Sequence, residues 1–408
     1  MTSQNGRDEI TFGFEELFFS RTDVAGVIRF GNAVFQRVSV YDWEELLGSP
    51  HKIVRHPDTP RAVFWLLWRA LKLGQPVGAY VKNRAKDGRF YWVFALASPV
   101  EGGYLSVRLR PSTPIFEAVQ REYEALSAME RANKLTPEAS AGILLKRLET
   151  LGFPTYENFM ATALNEELAA RNRAIGKPNQ EAVSRLSQVQ ALSRAALTAA
   201  DEISDAYLRN AHVPLNFRVL AGQLGASGHA IGEIAANYTA LSEEIKDILE
   251  LFATQAASVL QTVEEGLFLL CIAQLQSEIV QAFARELQGD SQTQRNEMHV
   301  LNAQRHEYSE KSLVGLRRIG AASRTFQDLC RDMRRLASGL EVTRVMSVVE
   351  CARHRSVEHR TEELLRELDA FQKLIAAALR KIEHANDTIA TAVVRAELAL
   401  TPASSVAV

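Results

Sequence analysis

A chain of 408 residues with 47% hydrophobic content exceeds one ordinary domain and can bury a sizeable core. Its 47 Lys and Arg nearly balance 49 Asp and Glu, so no global basic field draws it to nucleic acid or anionic lipid. The three separated cysteines, Cys271, Cys330 and Cys351, form neither a disulfide framework nor a zinc spacing; they are expected to be reduced packing residues, with no metal site. The first residues lack the charged-then-apolar order of a secretion signal. The most apolar run, residues 266–273, is closed by Gln274, Gln276 and Glu278, so a cytoplasmic chain without a membrane span is expected.

Composition changes near residue 115. Before it, glycine, proline and aromatics punctuate short runs; after it, Ala, Leu, Glu, Gln and Arg dominate. The first part is predicted α+β and the rest all-α. Strand-like runs at 16–20 and 26–30 are joined by a turn at 23–26, and Asn32 is placed to cap a short helix over 33–38. The run His51-Lys-Ile-Val-Arg55-His56-Pro57-Asp58-Thr-Pro60 then gathers an arginine, two histidines and an aspartate within eight residues. It leads into a helix over 60–73 bearing Trp65 and Trp68, opened by Pro60 and stopped by Gly74. Three strands follow at 77–84, 90–99 and 103–110. Lys86-Asp87-Gly88 joins the first two as a hairpin, and Glu101-Gly102-Gly103 turns into the third. An antiparallel five-stranded sheet with helices on one face is the predicted architecture.

That order, with Arg55-His56-Pro57-Asp58 and Lys82-Asn83-Arg84, resembles the PAS domain of bacterial aerotaxis receptors over about residues 18–110. The likeness takes in Ser20-Arg21-Thr22-Asp23, residues 64–68 and residues 88–93. It implies a PAS fold that binds FAD non-covalently. Carried over residue by residue, it implies Arg55, His56, Asp58, Trp68 and Asn83 as cofactor-binding positions, with Trp65 and Tyr91 as further aromatic walls. Those residue types suit a flavin: aromatic rings wall the isoalloxazine, the Asn83 amide serves its carbonyl oxygens, and Arg55 with His56 supplies cationic donors for the pyrophosphate. Asp58 is placed to orient Arg55 or His56 rather than to touch a ligand. One departure stands out, because Gly74-Gln75-Pro76 is followed by Val77 where that family commonly has tryptophan. The residues alone leave blander readings open: an Arg55–Asp58 pair closing a turn, His56 as a satisfied loop histidine, the two tryptophans as core, or haem held by His51 or His56.

Residues 115–133 are predicted to be a helix with Phe116, Val119, Tyr123 and Leu126 on one face, packed on the sheet edge or leading outward. A connector over 115–178 includes two further helical runs around Gly152-Phe-Pro154. From 179 the chain is almost continuous helix. Ile234, Tyr238, Leu241, Ile245, Ile248 and Phe252 recur at alternating steps of three and four, with a similar stripe at Leu186, Val189 and Leu192. Gly222, Gly225, Ser227 and Gly228 interrupt the helices, with a kink at Pro214, so an antiparallel hairpin with its tip near 225–228 is predicted; Ser338-Gly339 marks a later break.

The run from Leu215-Asn216 through Gly225-Ala-Ser-Gly228 to residues 241–245 is weakly similar to the signalling hairpin of methyl-accepting chemotaxis proteins, although their Glu-Ala-Ala-Arg-Ala-Gly run is absent. That resemblance implies a chemotaxis kinase or its coupling protein as partner. The pairs Glu243-Glu244, Glu264-Glu265 and Glu362-Glu363 are reminiscent of methylation sites, but in helices this acidic they read first as solvated charge. His354 and His359 lie five apart, a poor fit to one helical face, and no ATP-binding domain follows them. The expected organisation is a PAS sensor domain over 12–114, a helical connector over 115–178, an all-α antiparallel bundle or coiled coil over 179–400, and a disordered tail over 401–408. The expected function is a non-enzymatic, homodimeric redox or oxygen sensor of the aerotaxis type that binds FAD and relays its state to a signalling partner. The alternatives are a ligand-free PAS scaffold for dimerisation, or a flavin photosensor, although no cysteine lies in the PAS region.

Overall fold

A computed structural model describes residues 8–286, 292–353 and 358–400. The predicted tail at 401–408 and His354 lie outside the described residues, as does the His359 side chain. Two compact units divide the chain: Met1–Ser184 with Glu264–Gly315, and Arg185–Val263 with Leu316–Val408.

The first unit is built on five strands, β1 (Phe18–Asp23), β2 (Ile28–Gly31), β3 (Val77–Arg84), β4 (Phe90–Val100) and β5 (Gly103–Leu109), in the order β2-β1-β5-β4-β3 with every pair antiparallel. The β3–β4 hairpin has the register its turn dictates, from Val77 opposite Ala97 to Arg84 opposite Phe90, with Gly88 at φ +90°. Strands β1 and β5 approach closely at Gly103, where an added Cβ would lie 1.9 Å from the Thr22 carbonyl oxygen. Helices α1 (Ala33–Ser39), α2 (Trp43–Leu46) and α3 (Arg61–Lys72) fill the connection between β2 and β3.

Asn32 does not cap α1 with its side chain. Its amide instead closes on β1, accepting from the Phe19 N–H at 3.1 Å and donating to the Leu17 carbonyl at 3.1 Å. Pro60 stands one residue before α3 rather than in its first turn, and the free N–H groups there are taken up from elsewhere. Glu130 of helix α4 (Pro114–Asn133) accepts from the Arg61 and Ala62 N–H groups at 3.0 and 3.2 Å, an anion placed where the helix dipole favours one.

Helix α4 packs on the outer face of the sheet rather than on its edge. Phe116 stacks on Tyr80 at 5.5 Å and meets Trp92 edge-on at 5.3 Å. Helices α5 (Pro137–Thr150) and α6 (Tyr156–Ala174) separate at Gly152, which has φ +92°. The Tyr156 hydroxyl of α6 donates to the Gly78 carbonyl of β3 at 3.0 Å. Parts of α9 (His229–Glu286) and α10 (Gln292–Cys351) complete this face: Phe283 packs edge-on against Phe19 at 5.3 Å, and Arg21 pairs with Glu297. Glu264 is buried and accepts from the Asn158 amide, so it is not solvated charge.

Among the described residues the second unit is helical apart from short turns: most of α7 (Glu181–Asn210), α8 (Val213–Gln223), α11 (Glu358–Leu400) and the remaining parts of α9 and α10. Ile234, Tyr238, Ile245 and Phe252 are buried, as the stripe requires, with Phe252 against Phe326 at 4.8 Å. Pro214 lies in the first turn of α8 and kinks no longer helix. The predicted tip is a short 3-10 turn over Gly225–Gly228, with Gly225 at φ +56°. Ser338-Gly339 does not break α10, which runs through it; Gly339 is a close-approach site, where a Cβ would lie 3.2 Å from Leu241. Cys271, Cys330 and Cys351 are buried and free, and burial pushes their thiols up to about 12, 12 and 11. Helix α9 also corrects the reading of apolar runs. It holds one window of mean hydropathy 1.5, long and apolar enough by length and composition to cross a membrane, of which 61% is buried inside the protein.

Candidate functional site

Strand alternation sends Val81 and Asn83 of β3, Ala95 and Ala97 of β4, Ser106 and Arg108 of β5, and Ser20 of β1 to the inner face of the sheet. Helix α3 stands across from them with Phe64, Leu67, Trp68 and Leu71, and the loop from Pro50 to Arg55 closes one side. The short Ala95, Ala97, Ser106 and Ser20 side chains leave a cavity of about 320 Å³, at the lower end of the size range of ligand pockets. Every formally charged side chain in its wall, Lys52, Arg55 and Arg108, is cationic, and no Asp or Glu lines it.

Two polar clusters face this space. In the first, Arg55 and Asn83 meet through a backbone bridge. Asn83 is 4% exposed, and its side-chain amide makes no hydrogen bond among the described residues. The Arg55 guanidinium lies 3.7 Å over the Phe64 ring and has no ion-pair partner among them. Burial lowers its pKa, an effect countered by Glu130, and a guanidinium remains charged regardless. In the second cluster, Arg108 donates through Nη2 to Ser20 Oγ at 3.0 Å and to His51 Nε2 at 2.6 Å. An arginine only donates, so His51 Nε2 is the acceptor and the ring proton sits on Nδ1. Burial first, then the Arg108 charge, depresses His51 to about 3, so this imidazole is neutral at neutral pH.

Of the residues singled out in the sequence, Arg55, Trp68 and Asn83 line the cavity. Trp68 meets Tyr104 edge-on at 5.4 Å. His56 and Asp58 belong to a neighbouring charged cluster outside the lining. Asp58 pairs with Lys82 at 3.0 Å and Arg131 at 3.7 Å, and its N–H donates to His56 Nδ1 at 3.1 Å. Asp58 therefore forms no ion pair with Arg55; burial is the largest single influence on its carboxyl and raises its pKa, but Lys82, His56 and Arg131 together outweigh it and hold the carboxyl below the ordinary range, while desolvation lowers His56. Trp65 is half-buried with Arg69 5.2 Å from its ring, outside the lining. Tyr91 is fully buried opposite Asn83, its hydroxyl without a hydrogen-bond partner among the described residues and its pKa raised by burial. Val77 is buried opposite Ala97.

Arg108 is not singled out by the sequence, Ser20 enters there only within the PAS likeness, and His51 only in the charged run and as a haem alternative. The signal for Arg108 was present in β5, where Tyr104, Ser106 and Arg108 alternate with Leu105, Val107 and Leu109.

The PAS fold family model matches residues 28–106. The aerotaxis receptor of Escherichia coli strain K12 is 43% identical over 121 residues, which is 28% of this chain and 24% of that protein. The nitrogen fixation regulatory protein of Klebsiella pneumoniae is 31% identical over 81 residues, 20% of this chain and 16% of that one. A solved PAS domain from Colwellia psychrerythraea aligns at 19% identity and TM-score 0.22 over 23% of this chain and 85% of that one. A solved Light-Oxygen-Voltage domain aligns at 21% identity and TM-score 0.23, over 27% and 86%. These matches span at most about a quarter of the curated relatives' own length. The sheet domain is thus a PAS domain related to that of aerotaxis receptors, followed by a largely α-helical region of several long helices.

Proposed function

We propose that this chain is a cytoplasmic, non-enzymatic signalling protein whose PAS cavity takes a flavin and whose helices carry the state of that cavity to a partner. The observation that supports it is the cavity wall: its charged members are all cationic, and the buried Asn83 amide is left free. The residues present fit the group. Phe64, Leu67, Trp68 and Val81 offer apolar and aromatic walls, Asn83 and Arg108 offer donors for ring carbonyls, and Arg55 with Lys52 offers charge for phosphates. A bound flavin would supply a reversible electron acceptor. The protein's own part is to hold the ring, exclude water from it and register its charge.

The finer reading is FAD as the ligand and redox or oxygen status as the input, carried over from the aerotaxis receptor, with a chemotaxis kinase or its coupling protein downstream. A route outward exists in the chain. Strand β5 leads to Ser112 and Thr113, whose N–H groups and Thr113 hydroxyl donate to the buried Glu167 of α6, as does the Tyr80 hydroxyl of β3. A displacement of either strand is thereby felt by α4 and α6 together, and a small bias between two packings is enough for a switch. A homodimer is part of the same reading: Val342, Val345, Met346 and Val349 leave an exposed apolar stripe on α10.

The broader alternative has support of its own. Val77 stands where an aromatic wall was expected, the cavity is small, and the likeness to known proteins reaches little beyond the PAS domain. These observations suit a ligand-free PAS scaffold at least as well as the oxygen-sensing reading; a flavin photosensor is the other, separate alternative. Absorption spectra of the purified full chain beside Arg55→Ala and Asn83→Ala separate the cases. Flavin bands in the parent that fade in both variants are the expected result. Equal flavin in all three overturns the site, a colourless parent that refuses flavin leaves the scaffold, and bleaching by light alone favours the photosensor.

A further inference from the structure

We propose that the segment Glu264–Gly315 is a detachable strap over the first unit, latched by the ion pair between Arg21 of β1 and Glu297 of α10. The inference goes beyond the signalling reading above and rests on no ligand. Only non-covalent contacts fasten this segment to the sheet. The chain leaves the first unit after Ser184, returns with Glu264 and leaves again after Gly315, so both ends of the strap continue into the second unit. They do so without a break, because α9 and α10 are each one uninterrupted helix. The two helices approach closely within the strap, where a Cβ on Gly315 would lie 3.5 Å from the Gly266 Cα. Such a helix pair can lift as one piece without undoing any strand of the sheet.

Its contacts mix apolar anchors with polar groups that a permanent core tends to exclude. Phe283 packs on Phe19 and Phe30 at 5.3 and 5.6 Å. Beside it, four carboxylates of the strap meet donors beneath. Glu264 accepts from the Asn158 amide, and Glu278 pairs with Arg171 at 2.6 Å and with Lys177 at 2.7 Å. Glu286 accepts from the Asn32 amide at 3.0 Å, and Glu297 receives Arg21 Nε and Nη2 at 2.8 and 2.5 Å. Gln276, on the same strap, is fully buried, and neither atom of its amide has a hydrogen-bond partner among the described residues. Keeping that amide dry burdens the docked state, and release to water removes the burden.

Arg21 and Glu297 form the pair best placed to control this equilibrium. The Glu297 side chain is 3% exposed, and Arg21 is its only partner among the described residues, so without Arg21 a carboxylate is stranded under the strap. Arg21 also adjoins the cavity. Successive side chains of β1 face opposite ways, so Ser20 lines the cavity while Arg21 holds the strap. A shift of β1 at the cavity wall is thus felt at the latch one residue away, and release frees two helices that run on into the second unit.

The test is hydrogen exchange of the full chain, with alkylation of its thiols read position by position. Cys271 is a built-in reporter: it is buried and stands about two helical turns from both Glu264 and Glu278, on the face of α9 turned to α6. Cys330 and Cys351 lie outside the strap and serve as controls. In Arg21→Met, the amides of 264–286 and 292–315 and the Cys271 thiol should react at least about thirtyfold faster than in wild type. Amides of the β3–β4 pair and the two control thiols should stay within about threefold, as a local opening requires. Adding Glu297→Leu, which removes the stranded charge, should return the strap to within about threefold of wild type. An unchanged strap in Arg21→Met overturns the proposal. So does acceleration shared equally with β3–β4, which would make strap and sheet one cooperative unit, and so does acceleration that Glu297→Leu fails to reverse. Absorption of the same samples scores the flavin reading separately, so either can fail alone. Should Arg21→Met not fold, Arg21→Gln, which keeps a donor and removes the charge, is held to the same criteria.

Discussion

Replacing His51 with glutamine should remove much of the acid sensitivity of the PAS domain. The imidazole titrates at about 3 in the folded chain against an ordinary value of 6.5, because burial and the neighbouring Arg108 both oppose its protonation. As pH falls below 6.5 the unfolded chain takes up this proton and the folded chain does not, so stability is complete above that value and declines towards pH 3. The slope is about 1.4 kcal/mol per pH unit, giving a loss of about 2 kcal/mol between pH 6.5 and 5. This is an upper figure, since His51 borders the cavity and is only half-buried by area. Glutamine keeps an oxygen acceptor for Arg108 Nη2 and does not titrate. All four tryptophans, Trp43, Trp65, Trp68 and Trp92, lie in the PAS domain, so urea unfolding of the full chain followed by tryptophan fluorescence reads this domain alone. Carboxylates held low, such as Asp23 and Asp58, lose their contributions in both proteins as pH falls, and the difference between the curves isolates His51. Parallel curves for wild type and His51→Gln between pH 7 and 5 would refute the reasoning.

Glu167→Ala should cost about 2–4 kcal/mol, read by the same fluorescence transition, because it strands the Tyr80 and Thr113 hydroxyls and two backbone N–H groups in a buried site. Asp58→Asn should change stability by less than about 1 kcal/mol, since its side chain is 49% exposed and its partners are screened. Flavin content of that variant should equal the parent's, and a colourless Asp58→Asn protein would return Asp58 to the site. Gly103→Ala should cost more than about 2 kcal/mol, because the new Cβ meets the backbone of β1 and not a movable side chain. Hydrogen exchange should show lost protection along the β1–β5 pairing; unchanged protection would mean the strands separate cheaply.

Where local chemistry decides structure, the chain is readable. The Asp87-Gly88 turn fixes the β3–β4 register, and the Gly152 break and the stripe through Ile245 and Phe252 appear where spacing puts them. Asn32 shows the limit: its residue type suits a cap, but a tertiary demand, closing the Phe19 and Leu17 backbone groups, takes its amide instead. Ser338-Gly339 reads as a break, and Leu241 of another helix turns it into a packing site. The cavity divides in the same way. Arg55, Trp68 and Asn83 sit in short motifs and could be named. Arg108 and Ser20 are 88 positions apart and become neighbours only through the β1–β5 register, with His51 arriving from the loop before α3. Glu264 looks like half of an acidic surface pair until Asn158, far away in sequence, draws it inside.

The most direct measurement is an equilibrium titration of ligand-free full chain with FAD, followed by quenching of flavin fluorescence. A cavity whose charged wall residues are all cationic, with a free Asn83 amide, predicts saturable uptake of one FAD per chain with a Kd of about micromolar or tighter. Fluorescence that rises in proportion to added FAD, with no saturation at tens of micromolar protein, would contradict it.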